Sequence, residues 1–367
     1  MDAAPEPADE RAAALEEIGD GPPAPITPRN DWRRILLRSA CSLAFLGILF
    51  WRLPEFSIDD LFPKPTAATF VWIAVAIAVH LVAYCLQNLR WSQVSDTLGI
   101  PLPFRRLFSH LLAGEFVSNA LPTSFGGDVV RVLRQGKDVG DYADSFASTS
   151  IERLTGWLVL PVLSAIGLLA HPEYLHLGAA STVAVIIDVV TVLALLAILW
   201  AAGHERGAGR FLGRAGWRRY LGAVHLGIVA FRHRPIQVLK VLLAGVGFQF
   251  LQCVSVWAAA RALDIPQVTL LASMAFFPPT AVVQNMPFAL GGLGVREAAF
   301  VLFFGALGVP DARAIGLGLL VYLVFVAASL AGAPSFAVGA RSGDRGAPTD
   351  GQAAGTRRGT DGGVGQG

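Results

Sequence analysis

Charge is scarce in this sequence. Asp, Glu, Lys and Arg make up 15% of its 367 residues, against 54% hydrophobic residues and a mean hydropathy of +0.55. Soluble domains carry about 25% charged residues, so the shortage excludes an ordinary water-soluble fold and points to an integral membrane protein. Cysteine is scarcer still: Cys41, Cys85 and Cys253 show neither CxxC spacing nor a neighbouring histidine cluster, and they read as apolar filler. His171 and His176 flank a short loop without a third ligand, so no metal is expected. No G-x-x-x-x-G-K-[ST] loop occurs, so any energy for work in the membrane would come from ion coupling or a gradient. The net charge of +2 comes with no nucleic-acid-binding motif, and neither nucleic acid nor a cofactor is expected. The ~10-residue alternating segments of an outer-membrane barrel are also missing.

What the sequence does contain is long apolar runs. Windows at about 35–52, 68–89, 146–170, 177–202, 236–262 and 312–334 each approach the ~20 residues that cross a ~30 Å hydrocarbon core. The expectation is an all-α integral membrane protein over residues 32–338. Residues 1–31 are rich in Pro, Ala and acids, and residues 339–367 are Gly-rich and polar. Neither can bury enough apolar surface to order itself, so both read as disordered tails. The first apolar run starts late and lacks a small-residue cleavage site, so it reads as a span and not a signal peptide.

Basic residues orient the spans, because Lys and Arg near helix ends stay on the cytoplasmic side. Arg29, Arg33 and Arg34 precede the first run, and the stretch 203–235 carries Arg206, Arg210, Arg214, Arg218, Arg219, Arg232 and Arg234. The loop HPEYLH at 171–176 has no Lys or Arg. The predicted arrangement has both termini and a basic loop over 203–235 in the cytoplasm of an inner-membrane protein, with that loop touching anionic lipid.

The stretch NALPTSFGGDVVRVLRQGK, residues 119–137, fits no span. Arg105 and Arg106 precede it and Arg131, Arg134 and Lys137 end it, so a single crossing would export one basic set. A re-entrant hairpin turning at Phe125, Gly126 and Gly127 avoids that conflict. Irregular backbone at membrane depth is tolerated only where protein or a wet cavity receives it. Pro122, Gly126, Gly127 and Arg131 recur 165 residues on as Pro287, Gly291, Gly292 and Arg296. Three spans lie between the copies, so the second hairpin should enter from the opposite side, within halves of about 35–202 and 236–334. Such an inverted repeat of interrupted segments is the sequence sign of a carrier with a site near the midplane.

The motifs LPTSFGGDVVR, ERLTGWLVL and MPFALGGLGVRE resemble those of the flippase-like membrane domain found with lysyl-phosphatidylglycerol synthases, over residues 35–335. This chain has Thr123 where that first motif often has Gly. The resemblance implies a lipid translocase acting on an anionic phospholipid or lipid-linked headgroup. It does not imply lysyl-lipid synthesis, since no stretch here supplies a soluble aminoacyl-transferase domain. The alternatives are a membrane-embedded transferase acting on a lipid or lipid-linked sugar, and a partner subunit that transports nothing.

Several residues could carry that chemistry. Arg131 and Arg296 present planar donor forks suited to phosphate, and Gly126, Gly127, Gly291 and Gly292 would open helices whose N–H groups attract an anion. Alternatively the glycines only permit a turn and the arginines snorkel to the interface. Asp128 suits a helix N-terminus and could pair Arg131. Glu297 could pair a base or carry a proton, and Glu115 and Asn119 share a helix face. Glu152 and Arg153 are costly in an apolar helix and, being adjacent, need separate partners; the resemblance favours Arg153 as a phosphate or carboxylate partner. Asp188 must face the bundle interior or protonate. Arg90 beside Trp91 reads as an interface anchor.

Overall fold

A computed structural model of the chain describes residues 61, 64–120, 126–203, 217–232, 234–285 and 292–337. The expected span at 35–52, both tails, Gly291 and the two turn prolines lie outside these residues. Among those described, the fold is helical without strands. The α-helices whose bounds are described follow one another as α1 Ala67–Thr97, α2 Phe104–Ala120, α3 Gly126–Val139, α4 Tyr142–Ala170, α5 Ala179–Gly203, α6 Trp217–Arg232, α7 Pro235–Ala262, α8 Leu270–Gln284, α9 Val295–Gly305 and α10 Asp311–Ser329. Among the described residues, five stretches are long and apolar enough to cross a membrane: α1, α4, α5, α7 and the continuous stretch Asp311–Ala337 that begins with α10.

Local chemistry sets the ends. Thr66 caps α1, its Oγ1 accepting from Thr69 N–H at 3.3 Å, and Gly99 ends the connection at φ +76°, a conformation open to a residue without Cβ. Asp141 caps α4 by accepting from Ala143 N–H (2.7 Å) and Asp144 N–H (3.1 Å). Thr269 caps α8, accepting from Ala272 N–H at 3.1 Å. At 1.5 Å per residue the 31 residues of α1 run about 46 Å, so its polar end, QNLRWSQVSDT, extends well past the expected end of the run at residue 89.

Two of the long helices form the centre. Along α1 and α7, Trp72 meets Trp257 edge to face at 5.4 Å, Ser255 donates to the Ala76 carbonyl at 3.0 Å, and Arg90 lies 5.3 Å from the Phe248 ring. One number rises as the other falls, so the two helices are antiparallel. The order long helix, short helix pair, long helix occurs twice, as α1, α2–α3, α4 and again as α7, α8–α9, α10.

Each short pair is a hairpin. In the first, Asp138 at the end of α3 accepts from Arg106 Nε (2.7 Å) and Nη2 (2.8 Å) and meets His110 Nε2 (2.7 Å) on α2. Farther in, a Cβ on Gly114 would lie 2.8 Å from the Gly127 carbonyl, so the two backbones approach through paired glycines. In the second, Phe276 of α8 stacks on Phe303 of α9 at 5.5 Å. Each closing helix then packs on the other set's hairpin. Ser164 of α4 donates to the Ala275 carbonyl of α8 at 2.8 Å, and Ala328 of α10 joins Leu107, Leu111 and Leu112 of α2 in one apolar cluster.

Two expectations need correction. The stretch 203–235 is not simply a loop, because residues 217–232 fold into α6. That helix is tied to α4 by Arg219 donating to Asp141 (2.8 Å) and by Phe146 against Tyr220 at 5.5 Å. The two Gly-Gly pairs are also placed differently. Gly126 and Gly127 are the first residues of α3 and not the turn itself. In the second copy α9 starts only at Val295, after Gly292 and Gly294 at φ +76° and +83°. Here two left-handed residues prolong the turn, so Arg296 stands second in its helix and Arg131 sixth in its own.

Candidate functional site

Between the hairpins and the central helices lies a cavity of about 220 Å3. Arg131 and Arg296, one from each hairpin, both line it. So do Glu115 and Asn119 of α2, Gly127 and Asp128 of α3, and Glu152 and Arg153 of α4. Residues from Glu115 to Arg296 in the sequence thus share one wall system.

Its electrostatics centre on Glu152, which is 1% exposed. Oε1 accepts from Arg90 Nε at 2.9 Å and pairs with Nη2 of the same guanidinium, while Oε2 accepts from Arg131 Nη2 at 3.1 Å. Arg131 also reaches Asp128 (3.5 Å), and Asp128 pairs with Arg153 at 2.6 Å. The result is an alternating chain, Arg90, Glu152, Arg131, Asp128, Arg153, linking α1, α3 and α4. Desolvating each ion costs several kcal/mol, and only close opposite charge offsets that. The adjacent pair Glu152 and Arg153 divides as helix geometry requires, each finding its partner on another element.

Arg90 is the main correction at residue level. It is 3% exposed and threaded between helices, where a Cβ on Gly156 of α4 would come within 2.7 Å of its Nη1. Arg131 is also enclosed: its guanidinium lies 4.1 Å from the Trp91 ring, and its Nε has no hydrogen-bond partner. On the far hairpin, Arg296 is 2% exposed, donates from Nε to Gln284 Oε1 (2.8 Å), and lies 5.3 Å from the Tyr322 ring. Neither turn arginine therefore snorkels outward.

The smaller polar groups are placed as follows. Glu115 accepts from Gln87 Nε2 at 3.3 Å, and Asn119 donates to the Glu115 carbonyl at 3.0 Å. Four of the expected residues that are described, Gly126, Gly292, Asp188 and Glu297, stay outside the cavity lining. Glu297 is fully buried and caps its own helix, Oε2 accepting from Gly294 N–H at 2.5 Å. Asp188 of α5 is buried against Ser164. Gly126 opens α3 behind Gly127. The residues missed from sequence include Gln87, Gln284 and Tyr322. For Arg90, the cluster Gln87, Asn88, Arg90 within an apolar run was the available signal, since three polar side chains within one turn rarely all face lipid.

A helical membrane protein with a cavity lined by buried ion pairs between two helical hairpins is the class these features define. The chain belongs to the family described as the lysylphosphatidylglycerol synthase TM region, whose model matches residues 35–339. It is 26% identical over 259 residues to a UPF0104 membrane protein of Methanothermobacter thermautotrophicus, covering 65% of this chain and 76% of that one. It is 25% identical over 302 residues to glycosyltransferase AglD of Haloferax volcanii, covering 71% of this chain and 47% of that one. The chain thus spans about half the length of AglD. No solved structure matches it significantly.

Proposed function

We propose that the protein is a translocase for an anionic phospholipid or lipid-linked headgroup, acting in the bacterial inner membrane with both termini and the 203–235 segment in the cytoplasm. The observation that carries the reading is the convergence of the buried Arg131 and Arg296, from two separate hairpins, on one cavity. A guanidinium offers a bidentate fork to a phosphate, and two such forks from two halves would give a headgroup a partner from whichever side it enters. The twofold element order and the antiparallel α1 and α7 support halves inverted in the membrane, the arrangement in which one midplane site is served alternately from each face. The family's name and that of AglD, a glycosyltransferase, support a role in lipid or glycan chemistry.

The test is leaflet exchange of labelled anionic lipids in proteoliposomes. Arg131→Ala and Arg296→Ala are each expected to abolish exchange in protein that still folds, and Arg→Lys to restore only part, because an ammonium keeps charge and loses the fork. Full exchange by both Lys variants would overturn the phosphate role. Turnover of a lipid-linked donor with no exchange would instead favour a membrane-embedded transferase.

A further inference from the structure

Six carboxamides line the cavity: Gln87, Asn119, Gln249, Gln252, Gln284 and Asn285. In four of them one end is committed to the protein, and the partner's chemistry fixes which end. Asn119 Nδ2 donates to the Glu115 carbonyl and Asn285 Nδ2 to the Ala281 carbonyl (2.7 Å), both acceptors only. Gln87 Nε2 donates to the Glu115 carboxylate, and its Oε1 is buried without a partner in a residue 8% exposed. Gln284 accepts from Arg296 Nε, a donor only, which leaves its Nε2 over. What is left over is therefore three carbonyl oxygens, the second N–H of each donating amide and the N–H2 of Gln284, beside the guanidinium of Arg131 whose Nε has no partner.

An ammonium uses acceptors alone and a bare phosphate uses donors alone. A hydroxyl both donates and accepts, so a group of hydroxyls joined through a phosphate answers the whole set. The cavity's 220 Å3 is the share of about seven waters at ~30 Å3 each, enough for one small headgroup. Resting on the translocase reading of this cavity, we infer that its substrate class is a lipid phosphodiester with a polyhydroxylated headgroup, the phosphate meeting the arginines and the hydroxyls the carboxamides. A site built to bond hydroxyls rejects analogues lacking them, because its own buried polar groups are then left unpaired.

Calorimetric titration of the full chain in detergent with dihexanoyl phosphatidylinositol, phosphatidylglycerol, phosphatidylethanolamine and phosphatidic acid tests this. Affinity is expected to rise with the number of hydroxyls, at least tenfold from phosphatidic acid or phosphatidylethanolamine to phosphatidylinositol. Gln87→Leu and Gln252→Leu, whose melting temperatures report their folding, are each expected to narrow that gap threefold or more. Phosphatidylethanolamine or phosphatidic acid binding as tightly as phosphatidylinositol, or a gap untouched in both Leu variants, would overturn the inference. Binding is read apart from transport, so the two readings fail separately. Hydroxyl preference without leaflet exchange sinks the translocase and keeps the substrate class, while exchange without preference does the reverse.

Discussion

Glu152 is the residue on which the site's electrostatics turn, since one carboxylate compensates two guanidiniums that are each about 97% buried. Removing one partner of a buried ion pair leaves an uncompensated charge, at a cost of about 3–5 kcal/mol. Glu152→Ala is accordingly expected to lower stability by about 3 kcal/mol or more, read as a large drop in the melting temperature of the detergent-solubilised protein. Asp128→Asn tests the other end of the same chain. Its closer partner Arg153 is 29% exposed and retains access to water, and its other partner Arg131 keeps Glu152, so the expected loss is about 1 kcal/mol or less. Equal losses from the two variants would show that the pairs do not differ in burial as described. The arginines after Gly-Gly were legible in the sequence because an irregular segment inside an apolar chain has few reasons to exist. Arg90 was not, because an arginine next to a tryptophan at the end of an apolar run has the same pattern whether it meets headgroups or a carboxylate 62 residues away. Only the tertiary pairing separates the two.

At the scale of elements, the first hairpin is held by steric fit at one point and by charge at another. Gly114→Ala would place a methyl 2.8 Å from both the Gly127 carbonyl and Arg131 Cγ. Forced overpacking costs about 1–3 kcal/mol, so this variant is expected to melt lower and to shift Arg131, whereas Gly140→Ala meets no atom within 4 Å and carries only the backbone strain of its φ of +85°, leaving Arg131 in place. At the outer end, the hydrogen bond from Arg106 holds the Asp138 carboxyl down at about 2. A depressed carboxylate stabilises the fold above its unfolded pKa of about 3.9, and that contribution is lost as pH falls from there through about 2. The hairpin clasp should therefore be intact at pH 5 and above. Asp138→Asn is expected to cost about 1 kcal/mol or less at pH 7, since Arg106 is 61% exposed, and to remove the wild-type loss between pH 4 and 2. Unchanged acid sensitivity in that variant would assign the loss to other groups. The long spans were readable from hydropathy to within a few residues at most ends. Helix α6 was not, because its run of arginines dominates a composition count, while the apolar side that packs on α4 is short and interleaved with glycines.

For the whole molecule, the question is whether the two helix sets are inverted in the bilayer. The structure supplies antiparallel α1 and α7, and hairpins whose outer ends can be identified. Those of the first are Arg105 and Lys137, both exposed, which serve better than the buried His110 as labelling sites. For the second, Gln267 precedes α8 and Asp311 follows α9, and both are exposed. A hairpin that enters and leaves on one face must present both of its ends to the same compartment, whereas a pair of arms crossing singly would present them to opposite ones. Positive charge favours the cytoplasm for the first hairpin, which carries Arg105, Arg106, Arg134 and Lys137 around its outer ends. In a background with Cys41, Cys85 and Cys253 replaced by serine, single cysteines at 105 and 137 are expected to react with an impermeant maleimide only when the cytoplasmic face is open. Cysteines at 267 and 311 should react only from the other side. Labelling of 105 and 137 from opposite faces would remove the re-entrant hairpin, and labelling of all four from one face would remove the inversion while leaving both hairpins in place. The second outcome would also reach the mechanism, because two arginines delivered from the same side give an incoming headgroup no second partner from the opposite leaflet.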